Sequence, residues 1–290
     1  MRPSDNRHMN DFEEQNRRSW NAATLAHNSH KGDQALFLRQ GGSTLFPEEL
    51  ALLGDVRGRT LLHLQCNAGQ DSLSLAALGA EVTGVDIADE AIAFAQRLSR
   101  DSGIPATFHR AEVVDWLQRA AADGQRYDVV FVSYGALCWL PDLGAWAKGV
   151  AAVLRSGGRL VVMEFHPFAM VFDPAWRLTY DYFNPEPMVI PDGVGDYVAD
   201  SGDGLVNTPG TQGVVGFVNP HPSVEFAWGI GQVVSAVLAA GLRIARLEEY
   251  PFANGWKGFD GMREGEGKRW YAPPGQPAVP LMYGLEAVQP

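Results

Sequence analysis

Residues 60–86, TLLHLQCNAGQDSLSLAALGAEVTGVD, constrain the fold more than any other part of the chain. Leu61, Leu62 and Leu64 form an apolar strand running into a tight segment, Gln65-Cys66-Asn67-Ala68-Gly69. Helical spacing follows at Leu73, Leu75, Ala76 and Leu78, with Gly79 as the stop, and a second apolar strand over 82–85 ends on Asp86. A strand, a sharp turn, a helix and a parallel strand closing on a carboxylate suit a nucleoside. The turn brings backbone close to the ligand, and the carboxylate can accept both ribose hydroxyls.

The rhythm continues along the chain. Residues 1–12 carry no pattern and read as disordered; a helix is expected over 13–25, then a polar, His-rich turn at 27–30. Pro47-Glu48-Glu49 reads as a helix start, with early acids complementing the helix dipole. Helices are expected over 88–102, 113–122 and 143–154, the last stopped by Ser156-Gly157-Gly158. Thr107-Phe108 makes a short strand, and the apolar runs over 127–132 and 159–165 read as strands buried on both faces. Five alternations of strand and helix predict an α/β fold with a doubly wound, Rossmann-like parallel sheet. From 166 to 225 the rhythm breaks into a Pro-, Gly- and aromatic-rich insertion. A helix returns over 226–240, followed by strands over 242–250 and 280–288 with a loop-rich excursion over 251–279 between them. Two strands with no helix between them should pair antiparallel.

Composition narrows the function. The chain has 290 residues and a formal net charge of -11, which disfavours a nucleic-acid partner. The two cysteines, Cys66 and Cys138, cannot form a disulfide scaffold, which points to a reducing cytoplasm. The charged N-terminus lacks the apolar stretch of a secretory signal. No apolar run approaches the roughly 20 residues a membrane span needs. No His, Asp and Glu set shows metal-ligand spacing, so no metal is expected.

In this order the motifs resemble the class I S-adenosylmethionine-dependent methyltransferases. The matching features are Gly69 as the last glycine of the first turn, Asp86 as the ribose acid, Tyr127-Asp128-Val129-Val130 as strand 4, and Leu154-Arg155-Ser156-Gly157-Gly158 before strand 5. The resemblance covers residues 50–165 and 226–288. It implies a seven-stranded sheet, mostly parallel with an antiparallel last strand, and a cap insertion between strand 5 and the following helix. It also implies an N-terminal helical lid over 1–46, a cofactor-binding core over 47–165, a substrate cap over 166–225 and completion of the core over 226–290. The implied cofactor is S-adenosyl-L-methionine, with S-adenosyl-L-homocysteine as product. The chain departs from the family where His63 replaces the usual strand-1 Asp and where Gln65 and Asn67 replace glycines. Asn67 tolerates the left-handed turn, and the Gln65 amide can reach the methionine moiety.

The expected cofactor contacts are therefore Trp20, Gln65, Asn67, Gly69, Asp86, Ile87, Glu112, Val113 and Ser133. Asp86 is expected to bind ribose, with capping of the next helix as its other role, and Ile87 would pack on adenine. Glu112 stands where the family places its adenine acid, or acts as the first acid of its helix. Trp20 would line the methionine side or pack a surface helix. His166, just after strand 5, should face the mouth as a proton acceptor, because an unperturbed imidazole titrates near neutrality. His27 and Tyr180 are further candidates. Cys138 reads as packing, since nothing nearby would depress its pKa. The aromatic-rich insertion, with Phe168, Phe172, Trp176, Tyr182 and Tyr197 among its rings, reads as a cap over a small-molecule pocket or as a satellite core. The expectation is an enzyme methylating a small aromatic or apolar metabolite, in secondary metabolism by analogy with the family, as a cytoplasmic monomer or homodimer. A nicotinamide-dependent oxidoreductase is the main alternative, but it requires G-x-G-x-x-G, of which only Gly69 remains. The other is a non-catalytic S-adenosylmethionine-binding module.

Overall fold

The computed structural model describes residues 6–202, 205–206 and 211–290. Three helices come first: α1 (Asn6–Ser29), α2 (Gln34–Arg39) and α3 (Pro47–Leu53). The alternating core follows as β1 (Thr60–Leu64), α4 (Gln70–Ala77), β2 (Glu81–Asp86), α5 (Asp89–Ser102), β3 (Thr107–Arg110), α6 (Val113–Ala122), β4 (Tyr127–Ser133), α7 (Leu143–Val153) and β5 (Leu154–Phe165). The insertion holds β6 (Met188–Ile190), α8 (Tyr197–Asp200) and β7 (Ser223–Glu225). The chain then completes α9 (Ile230–Ala239), β8 (Arg243–Tyr250), β9 (Phe252–Asn254), β10 (Arg263–Glu264), β11 (Arg269–Tyr271) and β12 (Met282–Val288).

Seven strands form the main sheet in the order β3-β2-β1-β4-β5-β12-β8. β1 pairs parallel with both β2 and β4, and β12 runs antiparallel between β5 and β8. The expected doubly wound sheet with an antiparallel last strand is what the chain forms. Alternation sends Leu62, Leu64, Val130, Val132, Leu160 and Val162 to the face covered by α6, α7 and α9. Leu61, Val82, Val129, Phe131, Val161 and Met163 face the other way, with α3 and α4 packed on them. Both faces of the central strands β1, β4 and β5 are buried, which explains their continuous apolar runs. Strand order reverses between β1 and β4, and in such sheets the crevice at the carboxyl ends of the switch-point strands receives ligands.

Three expectations need correction. The first helix starts at Asn6, well before residue 13, so of the segment read as disordered only residues 1–5 lie outside the described chain. Gly157 and Gly158 do not stop α7: strand β5 already begins at Leu154, and they occupy an irregularity where Tyr127 pairs with Leu154 and Val129 with Arg159. The expected excursion over 251–279 holds a small sheet, β10-β11-β9. Its strands are two or three residues long, too short to show a period of two. The aromatic-rich insertion builds a satellite core, where Trp176 stacks on Phe172 at 4.7 Å and meets Phe259 edge-on at 4.9 Å, over Ala253, Met262 and Leu281.

Helix α1 joins this insertion to the core. Asn21 accepts from Glu90 N–H (3.0 Å) at the start of α5 and donates to Asp89 (3.0 Å), which also pairs with Arg17. On the other side Asn16 exchanges two hydrogen bonds with Val224 of β7 (2.9 and 2.7 Å). No described helix is long and apolar enough to cross a membrane.

Candidate functional site

A cavity of about 760 Å³ opens at the carboxyl ends of β1, β2 and β4, within the size range of small-molecule sites. Its walls come from α1, the segment between α2 and α3, the turns after β1, β2 and β4, and residues around α8 and β9.

The turn after β1 is built on left-handed backbone. Gln65 has φ 52°, Asn67 φ 48° and Gly69 φ 80°. Asn67 relieves its own strain, its Oδ1 accepting from Ala68 N–H at 2.6 Å. Gly69 serves packing: a Cβ there would meet the Ala95 Cβ at 2.6 Å, and the residue does not line the cavity, contrary to the expectation of a ligand approach. The glycine lets α4 close onto α5. Gln65 Nε2 donates to Ala136 O at 2.7 Å, while its Oε1 is buried without a partner among the described residues.

Asp86 lines the same cavity. Its Oδ2 accepts from Asn67 N–H (2.8 Å) and its Oδ1 from Ala88 N–H (2.9 Å). The cap role and the ligand-facing role therefore coexist, because each carboxylate oxygen keeps a further lone pair. Burial raises its pKa, and the N–H groups of Ala88, Asn67 and Ile87 oppose the rise. Ile87, Val113, Ser133 and Trp20 also line the cavity. Glu112 lines it too, although its Oε2 caps α6 through Asp115 N–H at 2.7 Å. Glu13 of α1 lies nearby, and burial followed by repulsion from Glu112 and Asp115 lifts it to about 7.

The expected proton acceptors lie elsewhere. His166 is 4% exposed and does not line the cavity. Its Nδ1 accepts from Phe168 N–H (3.1 Å), and its Nε2 lies 2.9 Å from Glu249 Oε1, an ion-pair distance without hydrogen-bond alignment. Alternation along β5 sends Phe165 into the cavity and leaves His166 beside Tyr283. His27 is also outside the lining, buried behind Tyr197 at a ring distance of 4.2 Å with Nε2 donating to Gly195 O (2.9 Å); burial lowers it to about 4. Tyr180 is 53% exposed and faces solvent. The Tyr182 hydroxyl accepts from Ile230 N–H (3.0 Å) at the start of α9. Of the insertion's rings singled out in the sequence, Tyr197 alone lines the cavity. The other aromatic walls are Trp20, Phe37, Phe46, Tyr134, Trp139, Phe165 and Trp256.

Further polar groups surround the site, of which only His63 was singled out in the sequence, and then as a departure from the family. His63, in place of the usual strand-1 acid, lies between Ser72 Oγ (2.8 Å) and Ser133 Oγ (3.2 Å), and burial pushes it down to about 3. Asp71 of α4 lines the cavity; burial raises its pKa, opposed by the Thr44 hydroxyl, Lys31 and Ser133. Its presence in the first motif was the available signal. Glu164 holds the loop after β4, accepting N–H groups from Gly135, Ala136 (2.8 Å) and Leu137 (3.1 Å). That loop carries Tyr134 at φ 22°, a conformation rare for a side-chain-bearing residue.

The sheet order, the left-handed turn and the acid ending β2 define a class I methyltransferase fold. Residues 61–158 match the family of methyltransferase domains. A ubiquinone biosynthesis O-methyltransferase of Proteus mirabilis is 35% identical over 104 residues, which is 36% of this chain and 40% of that protein. The chain thus spans about two fifths of the length of the curated relatives it matches. Among solved structures, an S-adenosylmethionine dependent methyltransferase of Mesorhizobium loti superposes with a TM-score of 0.51 at 19% identity, over 86% of this chain and 99% of that one. The CcbJ methyltransferase of Streptomyces caelestis gives 0.56 at 13% identity, over 93% and 97%. The resemblance to class I S-adenosylmethionine-dependent methyltransferases is borne out, and neither alternative is favoured.

Proposed function

We propose that this chain is an enzyme that transfers a methyl group from S-adenosyl-L-methionine to a small, aromatic or largely apolar metabolite, leaving S-adenosyl-L-homocysteine. The observation that carries the reading is Asp86: a carboxylate at the switch point, oriented by Asn67 and Ala88 N–H groups, with lone pairs left for a ribose diol. The buried, unpartnered Gln65 Oε1 fits a donor at the amino-acid end of the same ligand. In this reading Ile87 and Val113 flank the adenine, with Glu112 at its edge, and Ser133 and Trp20 border the rest of the cofactor.

The bound sulfonium supplies an intrinsically reactive methyl group. The chain then has to align the acceptor with it and exclude water. Trp20, packed edge-on against Trp139 at 5.4 Å, and Tyr197 supply the apolar surface for exclusion. Residues 1–46 act as the lid in this proposal, 47–165 and 226–290 as the core, and 166–225 as the insertion that braces the lid. A place in the cytoplasm and in secondary metabolism belongs to the same reading, by analogy with the family.

Isothermal titration with S-adenosylmethionine and with NAD tests it. S-adenosylmethionine should bind at one site and NAD should not. Asp86→Ala, confirmed folded, should weaken S-adenosylmethionine by about 2–3 kcal/mol, the scale of charge-assisted hydrogen bonds. Tight NAD binding without S-adenosylmethionine binding would overturn the assignment, and wild-type affinity in the variant would remove the ribose role from Asp86.

A further inference from the structure

The end of the cavity away from Asp86 holds a second polar group. Glu49, in the first turn of α3, is 1% exposed and lines the cavity. Its Oε2 accepts from Phe46 N–H at 2.7 Å, which fixes the side chain. Its Oε1 is buried and meets no donor at hydrogen-bond geometry among the described residues, although the Tyr134 hydroxyl acts on the carboxyl group. Asn254 of β9, 2% exposed, lines the same end. Its Nδ2 donates to Glu48 Oε2 (3.1 Å) and to the Tyr134 hydroxyl (3.0 Å). A carboxylate can only accept, so the amide orientation is set, and the atom left over is Oδ1, which is also buried and unpartnered. Phe46, Phe165 and Trp256 form apolar walls around this end.

A buried acceptor atom without a donor costs about 1–3 kcal/mol. Here two such atoms, from elements far apart in sequence, line one end of one cavity. We infer that Glu49 and Asn254 read the methyl acceptor, selecting a small aromatic molecule that presents paired N–H or O–H donors, neutral or cationic, and rejecting anions and donor-free rings. The inference rests on the methyltransferase reading and names the substrate class of that site.

The electrostatics agree. Burial and the neighbouring Asp71 hold Glu49 well above the ordinary carboxylate range, opposed by Phe46 N–H and the Tyr134 hydroxyl. A donor or cation brought to Oε1 favours the ionised form that burial disfavours, whereas an anion would meet both Glu49 and Asp71. The nearby positive charges are engaged: Arg269 pairs with Glu48, and Lys31 acts on Asp71.

The test uses the full chain saturated with S-adenosylhomocysteine and four probes titrated calorimetrically: catechol, benzylamine, veratrole and benzoate. Catechol and benzylamine should bind at least tenfold tighter than veratrole and benzoate. Glu49→Leu, which removes one acceptor atom and its charge but leaves Asn254 Oδ1 and Asp71 in place, should cut the preference for catechol and benzylamine over veratrole at least threefold. Glu49→Gln, whose single oxygen is taken by Phe46 N–H so that an NH2 donor replaces Oε1, should lower both preferences at least as far as Glu49→Leu does. A wild type without donor preference, or a preference undiminished in Glu49→Leu, would overturn the assignment. S-adenosylmethionine titrated into each protein separates the two levels. Equal binding to wild type and variants with no donor preference removes the Glu49 role alone, and no binding to wild type removes the methyltransferase reading itself.

Discussion

Single residues in this site are governed by what burial does to them. His27 and His166 attracted attention in the sequence because a free imidazole titrates near neutrality. Both are buried away from the cavity, where desolvation lowers their pKa and removes that property. Glu49 was legible only as a helix-start acid, because nothing local shows that Tyr134 and Asn254 arrive beside it from 85 and 205 positions further along the chain. His27 offers a direct check. Its pKa falls from 6.5 to about 4 on folding, so the unfolded chain binds its proton more readily. Its contribution to stability is complete above about 6.5 and is lost as pH drops toward 4. His27→Gln keeps a donor for Gly195 O without the titration. Urea unfolding at pH 7.5 and pH 5 should show wild type losing stability relative to the variant at the lower pH, and a pH-independent difference would contradict the assignment.

Among the elements, those with a strong local signature were legible and those built by long-range contacts were not. The strands over 127–132 and 159–165 announced themselves because both of their faces are buried. α6 matched its expected span, 113–122, because its apolar stripe and its Glu112 cap coincide. The small β10-β11-β9 sheet escaped notice, yet it brings Asn254 to the cavity. The turn before α4 was legible in outline, but the role of Gly69 was not: the residue is required by the approach of Ala95, a partner 26 positions away. Gly69→Ala combines a left-handed φ of 80° with a 2.6 Å clash and should destabilise the fold by about 2–4 kcal/mol in chemical unfolding. A loss below about 0.5 kcal/mol would show that α4 and α5 are free to move apart.

At the scale of the whole molecule, the main sheet fixes the cofactor side of the cavity while the N-terminal helices and the two late segments complete the rest. The family resemblance reached the first of these because its motifs sit in contiguous sequence. Of the second it reached Trp20, and Tyr197 only as one ring of the insertion, but not Glu49 and Asn254, which come to the cavity from two further segments. The acidic balance of the chain has a local counterpart: Glu13, Glu49, Asp71, Asp86 and Glu112 all line this one cavity, and burial raises every one of them. A cavity with that character is suited to a ligand carrying donors and positive charge, and a sulfonium nucleoside is one.

The central claim is that this ligand lies along the carboxyl ends of β1 and β2, and a co-crystal structure with S-adenosylhomocysteine tests it most directly. The account predicts ribose hydroxyls on Asp86, adenine between Ile87 and Val113, and the amino-acid end at Gln65, with the Glu49 end left for the acceptor. Ligand density on another face of the sheet, or a nucleoside in the cavity without contact to Asp86, would contradict it.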